Sequence, residues 1–272
     1  MRRVIGLFAA CALVMVPWAV TDAAPSDQID SVGVGGATAT AVAVRSDPPQ
    51  PPPSGGGRFS TLAPGSVLPT DQACAQGVRP TAEIRTINAT ANATPGVGAN
   101  SVYPRVTGNF TGTTDEILQW VACKWGIDED VVRAQLAKES WWHQDAGGDF
   151  TTDQSKCHPL VRTSSGPCPE AVGLGQVRYQ YHPSAFDNAN AVLSSAYNLD
   201  YTYAVWRSCF EGEVTWLNTV ERGRDYVAGD MWGCVGVWFA GRWYTPPATT
   251  YIDAVHELLD QKVWQSSDFP GG

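Results

Sequence analysis

The chain is short of basic residues, of histidine and of long apolar runs, and each shortage excludes something. Lys and Arg number 18 against 27 Asp and Glu, a net charge of −9. Such a chain has no electrostatic reason to seek nucleic acid. The balance does not bear on a polysaccharide, whose recognition rests on stacking and hydrogen bonds. Four histidines and seven cysteines without a Cys-X-X-Cys pair give no zinc-site spacing, so neither metal nor cofactor is expected. Beyond residue 20 no apolar stretch approaches the length of a membrane span. No run of alternating apolar and polar residues competes with the helical patterns, so the fold is expected to be mainly α.

The one long apolar run lies at the start. Met1-Arg2-Arg3 precedes an apolar stretch from Val4 to Val20, then Thr21-Asp22-Ala23-Ala24. A charged beginning, an apolar middle and a small-residue end read as a secretory signal peptide over residues 1–24. A membrane anchor is the competing reading, weakened by Pro17 in a rather short run. Removal of 1–24 also removes Cys11 and leaves Cys74, Cys123, Cys157, Cys168, Cys209 and Cys234. An even count in an exported chain implies three disulfides. The favoured pairs are Cys157–Cys168 and Cys209–Cys234, each flanking a loop, and Cys74–Cys123, pinning the N-terminal segment. The mature protein is expected outside the cell, as a monomer.

Four further regions follow. Residues 25–57 are low complexity, rich in Gly, Ala-Thr and Pro, with no periodic face to bury, and read as a disordered linker. Residues 58–112 show no sustained periodicity and are expected to be irregular, held by Cys74. All ten tryptophans of the mature chain lie from Trp120 to Trp264, so the core is placed in a helical domain over 113–265, followed by a tail over 266–272.

Within that domain Thr113 and Glu116 form a capping box for a first helix with apolar face Ile117, Leu118, Val121 and Trp125, ended by Gly126. Asp128 caps a second, in which Val132, Leu136 and Glu139 share one stripe. A long loop over about 143–170 follows. Val192, Ala196, Leu199, Tyr203, Trp206 and Phe210 predict a third helix, with Gly212 beyond it. Asp230 caps a glycine-interrupted helix, and Thr245-Pro246 opens the last, which runs to about Trp264.

Glu139 is the residue of chemical interest. It ends a buried stripe where the helix meets Trp141 and Trp142, a setting that disfavours the ionised carboxylate and raises its pKa. An acid still protonated near neutral pH is what a general acid requires. Taken alone, a helix-end Glu is more often solvated or paired with a lysine. Trp141, Trp142, Trp238 and Trp243 offer flat apolar faces on which sugars could stack, Trp142 foremost by its nearness to the acid, although most tryptophans in a helical domain are core. Asp145, Asp149 and Asp153 read as loop caps.

The order of Glu139-Ser140, Gly173-Leu174-Gly175-Gln176, Trp238-Phe239-Ala240-Gly241 and Tyr251 resembles the transglycosylase SLT domains. These are lysozyme-like folds shared by lytic transglycosylases and goose-type lysozymes, and the resemblance covers roughly 113–265. It implies Glu139 as catalytic acid with Ser140 as its neighbouring hydroxyl. It implies Gly173, Leu174 and Gln176 in the loop lining the cleft, with Gly175 where the family has Met. Phe239 stands where the family has a motif Tyr, and Tyr251 matches its cleft Tyr. Ala196-Tyr197-Asn198 matches the same motif by letter but falls too soon after Gln176 and inside a helix. The implied partner is the glycan strand of peptidoglycan, cut between N-acetylmuramic acid and N-acetylglucosamine to leave a 1,6-anhydro end. Hydrolysis by the same fold and a catalytically silent wall-binding domain are the alternatives.

Overall fold

The computed structural model describes residues 60–219, 222 and 226–269. The expected signal peptide and linker lie outside the described residues. Among the described residues the architecture is mainly helical, with short α1 (Asp71–Gly77) and α2 (Ala89–Asn92), then α3 (Thr114–Trp125) and α4 (Glu129–Ser140). A small sheet follows, β1 (Gly147–Thr151), β2 (Cys168–Val172) and β3 (Val177–Arg178). The chain closes with α5 (Asn190–Leu193), α6 (Ser195–Phe210), α7 (Met231–Ala240) and α8 (Pro246–Gln261). No helix among them is long and apolar enough to cross a membrane.

The helix starts follow local chemistry. Thr113 and Glu116 close both halves of the capping box on α3, and the Asp128 carboxylate accepts from Asp130 and Val131 N–H at the head of α4. Asp230 does the same for α7 through Gly233 N–H, and Pro246 opens α8. These are the orphan donors that a helix start must satisfy.

Three expectations are corrected. The third helix is two: Ser194 leaves α5 in an extended conformation and caps α6 by accepting from Tyr197 N–H. Val192 therefore belongs to α5, and the apolar spacing runs unbroken through a break that only the capping serine marks. Strands are present where none was expected. β1 pairs antiparallel with β2, Thr151 opposite Cys168, and β2 with β3. Gly147, Gly148 and Pro169 remove any readable alternation, and Cys157–Cys168 closes the loop that brings β1 and β2 together. Finally, residues 266–269 are no loose tail. Phe269 is 1% exposed, packed against Trp141 and Trp142 with the Arg85 guanidinium over its ring.

The segment before α3 is irregular for much of its length but is bound into the same unit as the rest. Cys74–Cys123 joins α1 to α3, and Cys209–Cys234 joins α6 to α7. Lys124 and Asp200, both fully buried, meet at 2.8 Å, and Lys124 also reaches Asp71 of α1 at 2.9 Å. Asp200 accepts from Thr107 and Gly108 N–H and from the Trp125 indole. A buried charge persists only when paired and hydrogen-bonded, and this cluster satisfies both conditions while tying four pieces of chain together.

Helix α4 is the axis of the molecule. The sequence suggests one buried stripe, but every residue from Glu129 to Ala137 is buried. Its polar residues are tolerated because they are paired: Arg133 reaches Asp115 at 2.7 Å, Glu129 and Asp130 at 3.1 Å. Those charges lie on the flank of α4 that meets α3, while Gln135 and Glu139, four apart and so on one face, turn toward α6 and α8.

Candidate active site

The end of α4 is unusual in its backbone. Trp141 and Trp142 both take left-handed conformations, with φ of 55° and 62°, which residues other than glycine seldom adopt. The surrounding protein holds them there. Arg85 donates to the Trp141 carbonyl and Asn88 to that of Trp142. The two indoles donate to the carbonyls of Phe269 and Arg133. Glu139 is thereby presented at the lip of the helix rather than lost in its continuation.

The Glu139 carboxyl is crowded by protein. Burial pushes its pKa up from 4.5 to about 7, opposed by the Tyr251 hydrogen bond and Lys138, and assisted by the negative charge of Asp149. Tyr251, from the first turns of α8, donates to Glu139 Oε1. Phe239 of α7 stacks on the Tyr251 ring, centroids 4.7 Å apart and planes 2° from parallel. Tyr251 is 3% exposed and Phe239 58%: one ring holds the acid and the other stacks on that ring while facing solvent. Tyr251, 112 positions after Glu139 in sequence, thus joins the acid to the ring of Phe239.

The remaining expected site residues are nearby but placed differently. Trp142 is 2% exposed and, with both edges engaged, presents no face to a ligand; its expected stacking role is withdrawn. Trp243 is likewise buried. Ser140 turns inward, its hydroxyl donating to the Leu174 carbonyl at 2.9 Å. Leu174 is fully buried, so Ser140, Gly173 and Leu174 form the underside of the loop rather than its ligand-facing surface. Gln176 is the part-exposed member. Its amide donates to the Gly173 carbonyl at 2.8 Å and the Ala146 carbonyl at 3.3 Å, which bridges the loop to the start of β1.

The glycines of that loop have a definite reason. A Cβ on Gly173 would overlap the Asn198 amide, and one on Gly175 the Thr202 hydroxyl. The loop lies directly on α6, where Asn198 accepts from Gly175 N–H at 2.8 Å and donates to the Val172 and Ala191 carbonyls. The Trp238 indole of α7 donates to the Gly175 carbonyl at 3.0 Å and stacks on His182. Burial pushes His182 down from 6.5 to about 4, so it is neutral at pH 7. A side chain in place of Gly175 would displace this packing.

Of the loop aspartates, Asp153 accepts from Ser155 N–H as a cap. Asp149 lies on β1 with a left-handed φ of 49°, 3.4 Å from Arg178, and close enough to Glu139 to act on its charge. In sequence Asp149 stands only as one of three loop aspartates, and Asn198 only within a motif match set aside for its position. Among the described residues no cluster of His, Cys, Asp or Glu could hold a metal ion. The arrangement can do one thing well: hold a proton on a carboxyl near neutral pH beside a partly open aromatic wall.

Comparison with protein-family models, curated proteins and solved structures finds no match to this chain.

Proposed function

We propose that the protein is an exported enzyme of lysozyme-like fold that cleaves the glycan strands of peptidoglycan as a lytic transglycosylase. The observation that carries the reading is Glu139: an acid raised to about 7, held on one oxygen by Tyr251, at the mouth of a loop whose short motif resembles that of the SLT domains. Three disulfides support an oxidising, extracellular setting.

In this mechanism the protonated Glu139 gives its proton to the oxygen joining C1 of N-acetylmuramic acid to C4 of N-acetylglucosamine. The C1–O bond breaks, and the leaving sugar departs with a free 4-hydroxyl. The Glu139 carboxylate then takes the proton of the muramic C6 hydroxyl as that oxygen bonds C1. The acid is restored, no water is consumed, and the new end is a 1,6-anhydro sugar. A nucleophile tethered to the reacting sugar has a large effective-concentration advantage over solvent.

One observation favours a second reading. Asp149 is 58% exposed on its side chain, 3.4 Å from Arg178, and acts electrostatically on Glu139. A hydrolase that inverts needs a second carboxylate about 6.5–9.5 Å from the acid to activate water, and Asp149 is the candidate. A single experiment separates them. Wild type, Glu139→Gln and Asp149→Asn are incubated with purified peptidoglycan and the products weighed by mass spectrometry. Transglycosylation gives fragments lighter by one water that resist borohydride. Glu139→Gln should lose more than about a hundredfold in rate, the usual scale of general acid help, and Asp149→Asn should keep most activity. Reducible products, with Asp149→Asn inactive, establish the hydrolase instead.

A further inference from the structure

Nothing in the mechanism above calls on residues 266–269, yet they pack directly against the end of α4. Phe269 is 1% exposed. Its ring centroid lies 4.7 Å from that of Trp141 and 5.0 Å from that of Trp142, with the Arg85 guanidinium 4.6 Å above it. Its carbonyl accepts from the Trp141 indole at 3.1 Å and from Arg85, whose Nε donates to the Trp141 carbonyl at 3.0 Å. One residue thus engages both tryptophans of the left-handed turn through its ring, and the first of them again through its carbonyl.

That turn decides what lies over Glu139. Helix α4 ends at Ser140, and the left-handed Trp141 sends the Trp142 N–H back toward the Leu136 carbonyl at 3.5 Å. Had the chain stayed right-handed, Trp142 and His143 would lie three and four positions on from Glu139, on the same face. A helical side chain covers the turn before its own Cα, so both would stand over the carboxyl. Local preference favours that extension. Tryptophan and histidine are ordinary helix residues, whereas two successive left-handed residues without a glycine are disfavoured. The turn must therefore be held from outside. Asn88 on the Trp142 carbonyl and the Arg133 carbonyl on the Trp142 indole share that task with Phe269.

We propose that Phe269 is a positioning residue: it locks the left-handed turn at Trp141 and Trp142, stops α4 at Ser140 and so keeps Glu139 uncovered for substrate. The inference rests on Glu139 being the acid of the proposed function, which it deepens. Phe269 acts through the backbone of the turn and takes no part in the proton transfer. Such a role has its own signature. Glycine takes the left-handed conformation without steric cost, so Trp141→Gly relieves the turn of its need for a hold. Trp141→Gly and Phe269→Ala both remove contacts, yet the two together should harm the site less than Phe269→Ala alone. A role in packing alone predicts the reverse, with the double variant no better than the single.

The test uses the full chain and two readings, one of which owes nothing to catalysis. Hydrogen exchange of the Trp142 indole, its NMR signal identified by loss in Trp142→Phe, follows the bond to the Arg133 carbonyl, which an extended α4 breaks. Cleavage of purified peptidoglycan gives kcat/KM. Both are measured at a temperature where circular dichroism shows every variant folded. Phe269→Ala should speed the exchange and lower kcat/KM by about tenfold or more each, since local opening is read directly by exchange and small misplacements of a catalytic group are costly. Adding Trp141→Gly should slow the exchange again and restore kcat/KM by about threefold or more. The inference is overturned if Phe269→Ala leaves the exchange unchanged, if the double variant exchanges as fast as Phe269→Ala, or if cleavage does not follow exchange in a wild type that cuts glycan. Should Phe269→Ala not fold, Phe269→Leu, which keeps apolar bulk without the flat ring, takes its place. Exchange that responds as expected in a protein that cuts no glycan upholds the hold on the turn and defeats the proposed function.

Discussion

Asp200, on α6 against α3, and Glu139, on α4 against α8, are both carboxylates withdrawn from solvent, the first wholly and the second in part, and they are treated in opposite ways. Asp200 is fully buried, yet both its oxygens are filled, by Lys124 at 2.8 Å, by the Trp125 indole and by two backbone N–H groups. Among the described residues Glu139 has one hydrogen-bond donor, Tyr251. Burial raises the pKa of each, but at Asp200 a cation and three further donors surround the carboxylate, and the group serves as a clamp. At Glu139 a single hydroxyl opposes it, and the group stays protonated to about pH 7. The more deeply buried carboxylate is thus the better satisfied one, and the difference between them lies in the donors each is given.

The contrast can be broken from either side. The largest effect is expected on the clamp. Lys124→Met leaves Asp200 charged and unpaired in the core and should destabilise the fold by about 3–5 kcal/mol, read as a drop in the urea midpoint. Adding Asp200→Leu to that variant should recover a large part of the loss, since the two residues act as one unit.

The acid should answer with the opposite sign. A Glu whose folded pKa is about 7 against an ordinary 4.5 costs nothing below pH 4.5, where it is protonated folded or unfolded. The cost grows as pH rises through that window and is complete above pH 7. Glu139→Gln removes it, so the variant should be more stable than wild type by about 3 kcal/mol at pH 8 and no different at pH 4. Equal stabilities at pH 8 would mean that the carboxyl is not held neutral by its surroundings.

The smallest effect is expected at Phe239. With more than half its surface exposed, its truncation to Ala should cost about 1 kcal/mol, near the value of one stacked aromatic pair. Its functional effect should be larger than that, because the ring is the open wall beside the acid. A thermal melt combined with the glycan-cleavage assay gives both readings on one sample.

The helices were legible in the sequence where their ends are chemical. Thr113, Asp128 and Asp230 cap starts through N–H groups two or three residues on, and Pro246 sets the first turn of the last helix. The three disulfides were legible because each closes a loop between successive cysteines. What escaped were features set by contacts distant in the chain. The buried flank of α4 looks like solvated charge until Asp115 and Arg79 arrive. The sheet depends on a bridge and on glycines that erase its pattern. In the site, Tyr251 reaches Glu139 and Phe239 stacks on Tyr251. Ser140 and Leu174 serve as support and Trp142 as core.

The order of the cysteines has a consequence for how the chain matures. Cys74 joins Cys123, Cys157 joins Cys168 and Cys209 joins Cys234, so no bridge encloses or crosses another. A polypeptide threaded through a pore from its amino end presents each thiol's partner before any later thiol emerges. Short loops also close at least entropic cost. For a chain exported in that way, oxidation in order of arrival would yield the native set.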